Sequence, residues 1–405
     1  MRRVAITGMG VVSSIGANVA EVTRALKEAK SGVAFAPEFA ERGFKCQVYA
    51  KPPVNVEEAL DRRTRRFMGE GAAWNYIAMH EAINDARLAP DEISHPMTGI
   101  VMGSGGPSTE SIVQAADITR ETKGTKRIGP TVVPKAMSST NSATLAVPFK
   151  ILGLNYSISS ACATSVHCIG AAAEQIMWGK QDVVFAGGGE DVHWTMANLF
   201  DAMGAMATAF NDTPTTASRA YDKNRDGFVI AGGAGVVVLE EMERAKARGA
   251  TIYGEIVGYY ANSDGYDMVQ LSGEGAVRCM REALKTVKQP VDYVNTHGTS
   301  TPVGDSKETA ALREVFADKI PPFSSTKSLT GHSLGAVGAQ ETIYSLIMMR
   351  DKFLCESAHI EEIDPEFADL PIVRERVDNA QIDCFLTNSF GFGGTNGCLV
   401  VARME

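Results

Sequence analysis

No run of about 18 uninterrupted apolar residues occurs in the chain, so no membrane-spanning helix is expected. Positive charge is not in excess either. The 39 Lys and Arg stand against 48 Asp and Glu, a formal net charge of −9, which argues against a general nucleic-acid binder. The seven cysteines, Cys46, Cys162, Cys168, Cys279, Cys355, Cys384 and Cys398, are odd in number and scattered. No Cys-x-x-Cys pair exists among them, which argues against structural zinc and leaves no metal expected. Free thiols fit a reducing, cytoplasmic setting. No Gly-x-x-x-x-Gly-Lys-Ser/Thr nucleotide loop occurs, and no low-complexity linker divides the 405 residues.

What the chain does have is glycine, 39 residues of it, which lets backbone approach backbone or ligand closely. The remaining composition, 44% hydrophobic and 21% charged, suits a globular chain with more than one core-bearing unit. Met1-Arg2-Arg3 followed by Val4-Ala5-Ile6 has the outline of a leader. Thr7, Gly8, Gly10, Ser13 and Ser14 interrupt it, so it reads as a buried first strand. Apolar runs at 3–7, 99–102, 182–186 and 235–239 read as strands, and 67–86 and 162–178 as helices. Alternation of this kind implies a largely parallel α/β sheet. A shared small-residue texture at 168–176 and 333–341, each after a Ser/Thr-rich approach, hints at internal duplication.

Two motifs are decoys. Gly8-Met9-Gly10-Val11-Val12-Ser13 nearly matches a dinucleotide fingerprint, but Ser13 replaces the third glycine and no acidic strand end follows at the right distance. Gly331-His332-Ser333-Leu334-Gly335 satisfies the hydrolase elbow Gly-x-Ser-x-Gly. A polar approach at 324–330 precedes it where an apolar strand is needed, and the order Ser, acid, His is poorly met.

Three other segments carry chemistry. In Tyr156-Ser-Ile-Ser-Ser-Ala-Cys162-Ala-Thr-Ser, the serines at 157, 159 and 160 can cap a helix. Cys162 then falls at or near the first turn, where free N–H groups and the helix dipole would lower its pKa. A buried structural cysteine is the competing reading. Asn295-Thr-His297-Gly-Thr-Ser-Thr-Pro follows a strand at 291–294, at the carboxyl end where ligands collect in parallel sheets. Its hydroxyls at Thr299, Ser300 and Thr301 suit an amide-rich ligand, although a locally bonded loop histidine would look the same. Lys327-Ser-Leu-Thr-Gly-His332 places His332 at the start of a Gly/Ala-rich helix, which favours a neutral imidazole able to donate to an oxyanion. Glu341, on that helix, can pair with Lys327. His167 and Cys168 read as structural.

Near the end, Asn388-Ser-Phe390-Gly-Phe392-Gly-Gly-Thr-Asn396 lies between strands at 384–386 and 398–402. Its glycines can turn backbone N–H groups toward a ligand, and Phe390 and Phe392 can line an acyl pocket. A tight turn is the alternative.

Together these segments resemble the β-ketoacyl-carrier-protein synthase family of the thiolase superfamily, along nearly the whole chain. The Cys-His-His set is similar to that of the elongating synthases, and Ser157–Ser165 with Gly187-Gly-Gly-Glu190 looks closest to the synthase I type, with synthase II as the alternative. The resemblance implies an α/β, thiolase-like five-layer αβαβα fold. Its two pseudo-duplicated halves, 1–248 with the nucleophile and 249–405 with both histidines, would each hold a mixed five-stranded sheet. It also implies a homodimer. One departure is Val269-Gln-Leu271-Ser-Gly, where relatives carry proline near Leu271, which bears on chain-length preference.

The implied reaction is decarboxylative condensation of an acyl thioester with malonyl-acyl-carrier protein, with no metal and no cofactor. Cys162 would accept the acyl group. The N–H groups of Cys162 and Phe392 would form the oxyanion hole, His297 and His332 would stabilise the enolate, and Lys327 and Glu341 would support the electrostatics. Thr299 and Thr301 would hold the pantetheine arm. The partner, acyl carrier protein, is acidic by the same resemblance. Arg62, Arg63 and Arg66, and separately Lys126 and Arg127, form basic clusters that can steer it. A solvated helix start and an ordinary charged loop are the alternatives. A thiolase, a decarboxylase lacking the cysteine, and a non-catalytic carrier-protein-binding subunit fit the residues less well.

Overall fold

The computed structural model describes residues 1–404. Ten strands form one hydrogen-bonded sheet. They are Val4–Val12 (β1), Thr98–Gly103 (β2), Asn155–Tyr156 (β3), Val183–Glu190 (β4), Gly233–Glu241 (β5), Gly254–Ser263 (β6), Tyr293–Asn295 (β7), Phe323–Ser324 (β8), Cys384–Gly391 (β9) and Thr395–Ala402 (β10). Eight of the helices are Arg62–Arg65 (α1), Glu70–Ala86 (α2), Thr109–Thr122 (α3), Thr164–Met177 (α4), Glu274–Leu284 (α5), Pro302–Phe316 (α6), Lys327–Thr330 (α7) and Val337–Asp351 (α8).

The sheet order is β8-β7-β9-β10-β6-β1-β5-β4-β2-β3. Its two halves repeat one pattern. β1 runs antiparallel to β5, which runs antiparallel to β4, and β4, β2 and β3 are mutually parallel. In the second half β6, β10 and β9 alternate antiparallel, and β9, β7 and β8 are parallel. The halves meet at only two residue pairs, Ala5 with Glu255 and Ile6 with Gly254. The sheet is thus mixed in each half, as the family resemblance implied, and less parallel than the alternation of strands and helices alone suggested.

Helices α4 and α8 lie between the halves, each touching strands of both. Helix α2 covers the outer face of the first half, and α5 with α6 covers that of the second. These are the five layers. A middle-layer helix has no solvent face, and every residue of α8 from Val337 to Met349 is buried. Its polar side chains are therefore satisfied internally. Gln340 donates to Val12 O at 3.0 Å, Tyr344 to Ser13 Oγ at 2.8 Å, and Glu341 accepts from Lys327.

Strand β1 runs five residues past the expected end at Thr7, because Gly8 and Gly10 belong to the strand itself. A Cβ on Gly10 would lie 1.9 Å from Ala78 O, and one on Gly8 2.6 Å from Ala82 O. These glycines let α2 rest directly on β1, which explains the near-fingerprint without any nucleotide. Gly10→Ala should therefore lower the unfolding free energy by about 1–3 kcal/mol or more in urea denaturation. Gly124→Ala, whose Cβ would find its nearest neighbour at 3.8 Å, should leave it unchanged. Equal effects would refute this account of the helix–strand contact.

Candidate active site

Cys162 sits two residues before α4, near its first turn. The expected serine caps are absent. Ser157 donates to Ser142 Oγ at 3.0 Å, and Ser160 Oγ meets His167 Nδ1 at 2.7 Å. The turn is closed instead by Thr164, whose Oγ1 accepts from Ser160 N and donates to Ala161 O, both at 2.8 Å. This holds Ala161 in the left-handed region, φ +49°, a strained position for a residue with a Cβ. His167 is structural as expected, with Nε2 3.0 Å from Asn396 O.

The thiol also differs from expectation. Burial pushes Cys162 up to about 12, and the nearby Lys327 charge only partly offsets this. The helix start does not outweigh the loss of water, so the resting residue is a neutral thiol. His332 Nε2 lies 3.0 Å from its Sγ.

His297 follows β7 as predicted. His332 follows α7 and precedes α8 by five residues, with a 3₁₀ turn between them at 334–336, so it does not share a helix with Glu341. The two rings stand nearly perpendicular, centroids 5.4 Å apart, between Phe390 at 5.8 Å from His297 and Phe228 at 5.7 Å from His332. Burial holds both imidazoles well below the ordinary histidine value, and Lys327 pushes each further down. Both are neutral, as expected for His332, but desolvation and a buried cation are the main causes. Lys327 itself is buried and bonds Glu341 Oε1 at 2.5 Å. Burial pushes Glu341 up to about 7.

Donor atoms of Cys162, His297 and His332 lie within 4.8 Å of one another. Such a set offers zinc-type ligands, but the Lys327 ammonium bears on both imidazoles and disfavours a second cation there.

The three residues meet at a cavity of about 360 Å³. Phe390 and Phe392 line it, as do Thr299 and Thr301, whose hydroxyls are 3.0 Å apart. Val269, Gln270 and Leu271, the departing loop, also reach it. Gly391 brings the hairpin against Cys162, for its Cβ would lie 3.1 Å from Cys162 N. Ser333 of the hydrolase decoy is buried against Gln340 Oε1 at 2.5 Å and bonds no histidine.

The basic clusters lie elsewhere. Arg62 and Arg63 are exposed on α1, whose start Asp61 caps through Arg63 N and Thr64 N, and Arg66 follows, stacked on Phe67 at 4.5 Å. Arg63 and Arg66 border a separate groove with Phe67, Met137, Val147 and Lys150. Lys126 and Arg127 are exposed in the segment after α3.

Sequence reading missed Glu308. Its carboxylate accepts from His297 N at 2.8 Å, Gly298 N at 2.7 Å and Asn388 Nδ2 at 3.1 Å. It thereby fixes the histidine loop to β9. The signal was available: Asp305, Glu308, Thr309 and Leu312 fall at helical spacing on the buried face of α6, but a polar stripe reads as a solvated one.

The buried ion pair is directly testable. Lys327→Met should cost about 3–5 kcal/mol in denaturant unfolding because it leaves Glu341 unpaired, and adding Glu341→Leu should recover much of that loss. A double variant as unstable as the single one would show that the pairing is not what matters.

The family model "Beta-ketoacyl synthase, N-terminal domain" matches residues 1–245, and "Beta-ketoacyl synthase, C-terminal domain" matches residues 253–361. The 3-oxoacyl-[acyl-carrier-protein] synthase 1 of Haemophilus influenzae is 56% identical over 403 residues, covering 100% of this chain and 99% of that protein. The crystal structure of a beta-ketoacyl synthase from Burkholderia phymatum superposes with a TM-score of 0.93 at 34% identity, covering 100% of both chains. A type II polyketide ketosynthase, solved in complex with its acyl-carrier protein, has a TM-score of 0.91 at 28% identity, again over 100% of both chains. With both halves matched in order and the cysteine and two histidines converging on one cavity, the chain belongs to the beta-ketoacyl synthase family.

Proposed function

We propose that this chain is an elongating condensing enzyme of fatty acid synthesis, of the synthase I type, joining an acyl thioester to malonyl-acyl-carrier protein. The observation that carries the reading is the 3.0 Å contact of Cys162 Sγ with His332 Nε2, with His297 beside it, at a mostly apolar cavity. The name of the Haemophilus relative supports the same activity.

In this reading Cys162 attacks the acyl thioester carbonyl, forming a new C–S bond. The carrier's sulfur leaves with the proton that Cys162 gives up. The N–H groups of Cys162 and Phe392 hold the transient oxyanion, each such donor being worth about 2.7–4 kcal/mol. Malonyl thioester then enters. Its carboxylate leaves as carbon dioxide, and the electron pair of the broken C–C bond becomes an enolate. Neutral His297 and His332 donate hydrogen bonds to the enolate oxygen. The carbanion attacks acyl-Cys162, a C–C bond forms, and the cysteine sulfur is released as a thiolate that takes its proton from water. Lys327 and Glu341 set the field in which these charges develop. Thr299 and Thr301 hold the pantetheine arm, and Phe390 and Phe392 contact the acyl chain.

The partner in this reading is an acidic carrier protein bearing the acyl and malonyl arms, steered by Arg62, Arg63, Arg66, Lys126 and Arg127. The ketosynthase solved with its carrier protein supports that pairing. We also read the chain as a cytoplasmic homodimer whose units divide at 248 and 249. The short edge strand β3 is exposed, and Val147, Leu152 and Tyr156 lie in or beside it, an edge that a second copy would cover.

Intact-mass measurement after incubation with a long-chain acyl carrier protein should show an acyl adduct on wild type and none on Cys162→Ala. Adding malonyl carrier protein should discharge the adduct into a product two carbons longer, with release of carbon dioxide. No adduct, or one at another residue, would overturn the reading. Arg62→Glu with Arg66→Glu should raise the apparent KM for carrier protein at low salt. An unchanged KM would remove those residues from the docking site.

A further inference from the structure

The described mechanism leaves one buried carboxylate beside the nucleophile unused. Glu190 ends β4 and is only 2% exposed. Its Oε2 accepts from Gly105 N at 2.6 Å and Gly335 N at 2.8 Å. Its Oε1 accepts from Ser104 Oγ at 2.8 Å and Gly106 N at 3.3 Å. Among the described residues no cation pairs with it, so backbone N–H groups and one hydroxyl alone hold the buried carboxyl group, which burial pushes up to about 7.

Those donors come from two loops that carry the reacting groups or support them. Gly335 lies three residues after His332, and Leu334 between them is strained, φ +47°. Gly105 follows β2 and lies under the nucleophile turn. A Cβ on it would come 2.9 Å from Glu190 Oε2, 3.3 Å from Gly335 N and 3.5 Å from the carbonyl of Ala161, the strained residue before Cys162. A Cβ on Gly335 would lie 2.2 Å from Gly105 N. Two strained residues, one next to Cys162 and one two after His332, thus flank a single carboxylate. Strain of this kind persists only where surrounding contacts over-determine it.

We propose that Glu190 is a positioning residue, whose carboxylate joins the 104–106 loop to the turn after His332 and thereby sets the spacing of His332 from Cys162. The inference rests on the acyl-accepting role proposed above. Hydrogen-bond reach is what the clamp needs. Asp keeps the charge but is one methylene too short for the four donors. Gln keeps the reach: its carbonyl can accept from Gly105 and Gly335, and its amide can donate to Ser104 Oγ.

The test is single-turnover acylation by an acyl carrier-protein thioester, followed by intact mass over a range of donor concentration. Glu190→Asp should lower the maximal acylation rate about 100-fold, the order expected for an ångström of misplacement, with the half-saturating concentration unchanged. Glu190→Gln should restore most of the rate. Should the aspartate variant not fold, Gly105→Ala wedges the same clamp from its other side and should show the same loss of maximal rate. An aspartate variant as fast as wild type, or a glutamine variant as slow as the aspartate one, would overturn the proposal. Wild type that forms no adduct would overturn the acyl-accepting role instead.

Discussion

Lys327 carries a full positive charge into the protein interior, 1% exposed, and Glu341, equally buried, faces it at 2.5 Å. Neither group could stay charged alone at that depth. As a pair they impose an electrostatic field on everything within reach. Both histidines are driven further toward the neutral form by the ammonium, while the same charge pulls the Cys162 thiol down against a stronger upward push from burial. The site at rest therefore holds a neutral thiol and two neutral imidazoles, with a cation set behind them. Negative charge developing on a sulfur or a thioester oxygen is favoured in that field, and it needs no solvent reorganisation.

Keeping water out of such a site demands that polar groups be satisfied by the protein itself, and the fold does this with carboxylates. Glu308 gathers the N–H groups at the His297 loop, and Glu190 joins the Gly335 N–H of the turn after His332 to the Gly105 N–H of the 104–106 loop. Asp305 holds Ser300 N and faces Arg225 at 3.3 Å. Each acid sits where a loop would otherwise bury unpaired backbone donors. The acids thus stabilise irregular backbone as close to the chemistry as His297 and His332.

The cluster of Cys162, His297 and His332 could be picked out in sequence because each is announced by its neighbours: small residues after Cys162, hydroxyls after His297, and Lys327 and glycines around His332. The apolar strands were legible too, although β1, β4, β9 and β10 each run further than their apolar runs, since glycine and polar residues continue a buried strand wherever a helix rests on it. Of the carboxylates, Glu341 was legible as the partner of Lys327, whereas Glu190 and Glu308 were not read. Glu308 falls on the buried stripe of α6, but both look like surface acids until three-dimensional packing removes their water. The thiol's protonation was misread for the same reason. Proximity to a helix start is a local property visible in sequence, whereas burial depends on residues from both halves of the chain.

The duplication explains why the site exists where it does. In each half a strand leads through a turn into a helix of the middle layer, and α4 and α8 pack against each other between the sheets. The approach to α4 delivers Cys162 two residues before that helix, the approach to α8 delivers His332 five residues before its own, and the two atoms meet at 3.0 Å. The repeat is not symmetric in chemistry. The first half adds Glu190 at the end of β4 and the second adds His297 beyond β7, together with Lys327 and Glu341. A repeated scaffold fixes where two helix approaches converge, and divergence of the residues on them then separates the roles. A cavity between such halves can be lined by apolar groups from each, which is how Phe228 and Phe390 come to flank opposite imidazoles.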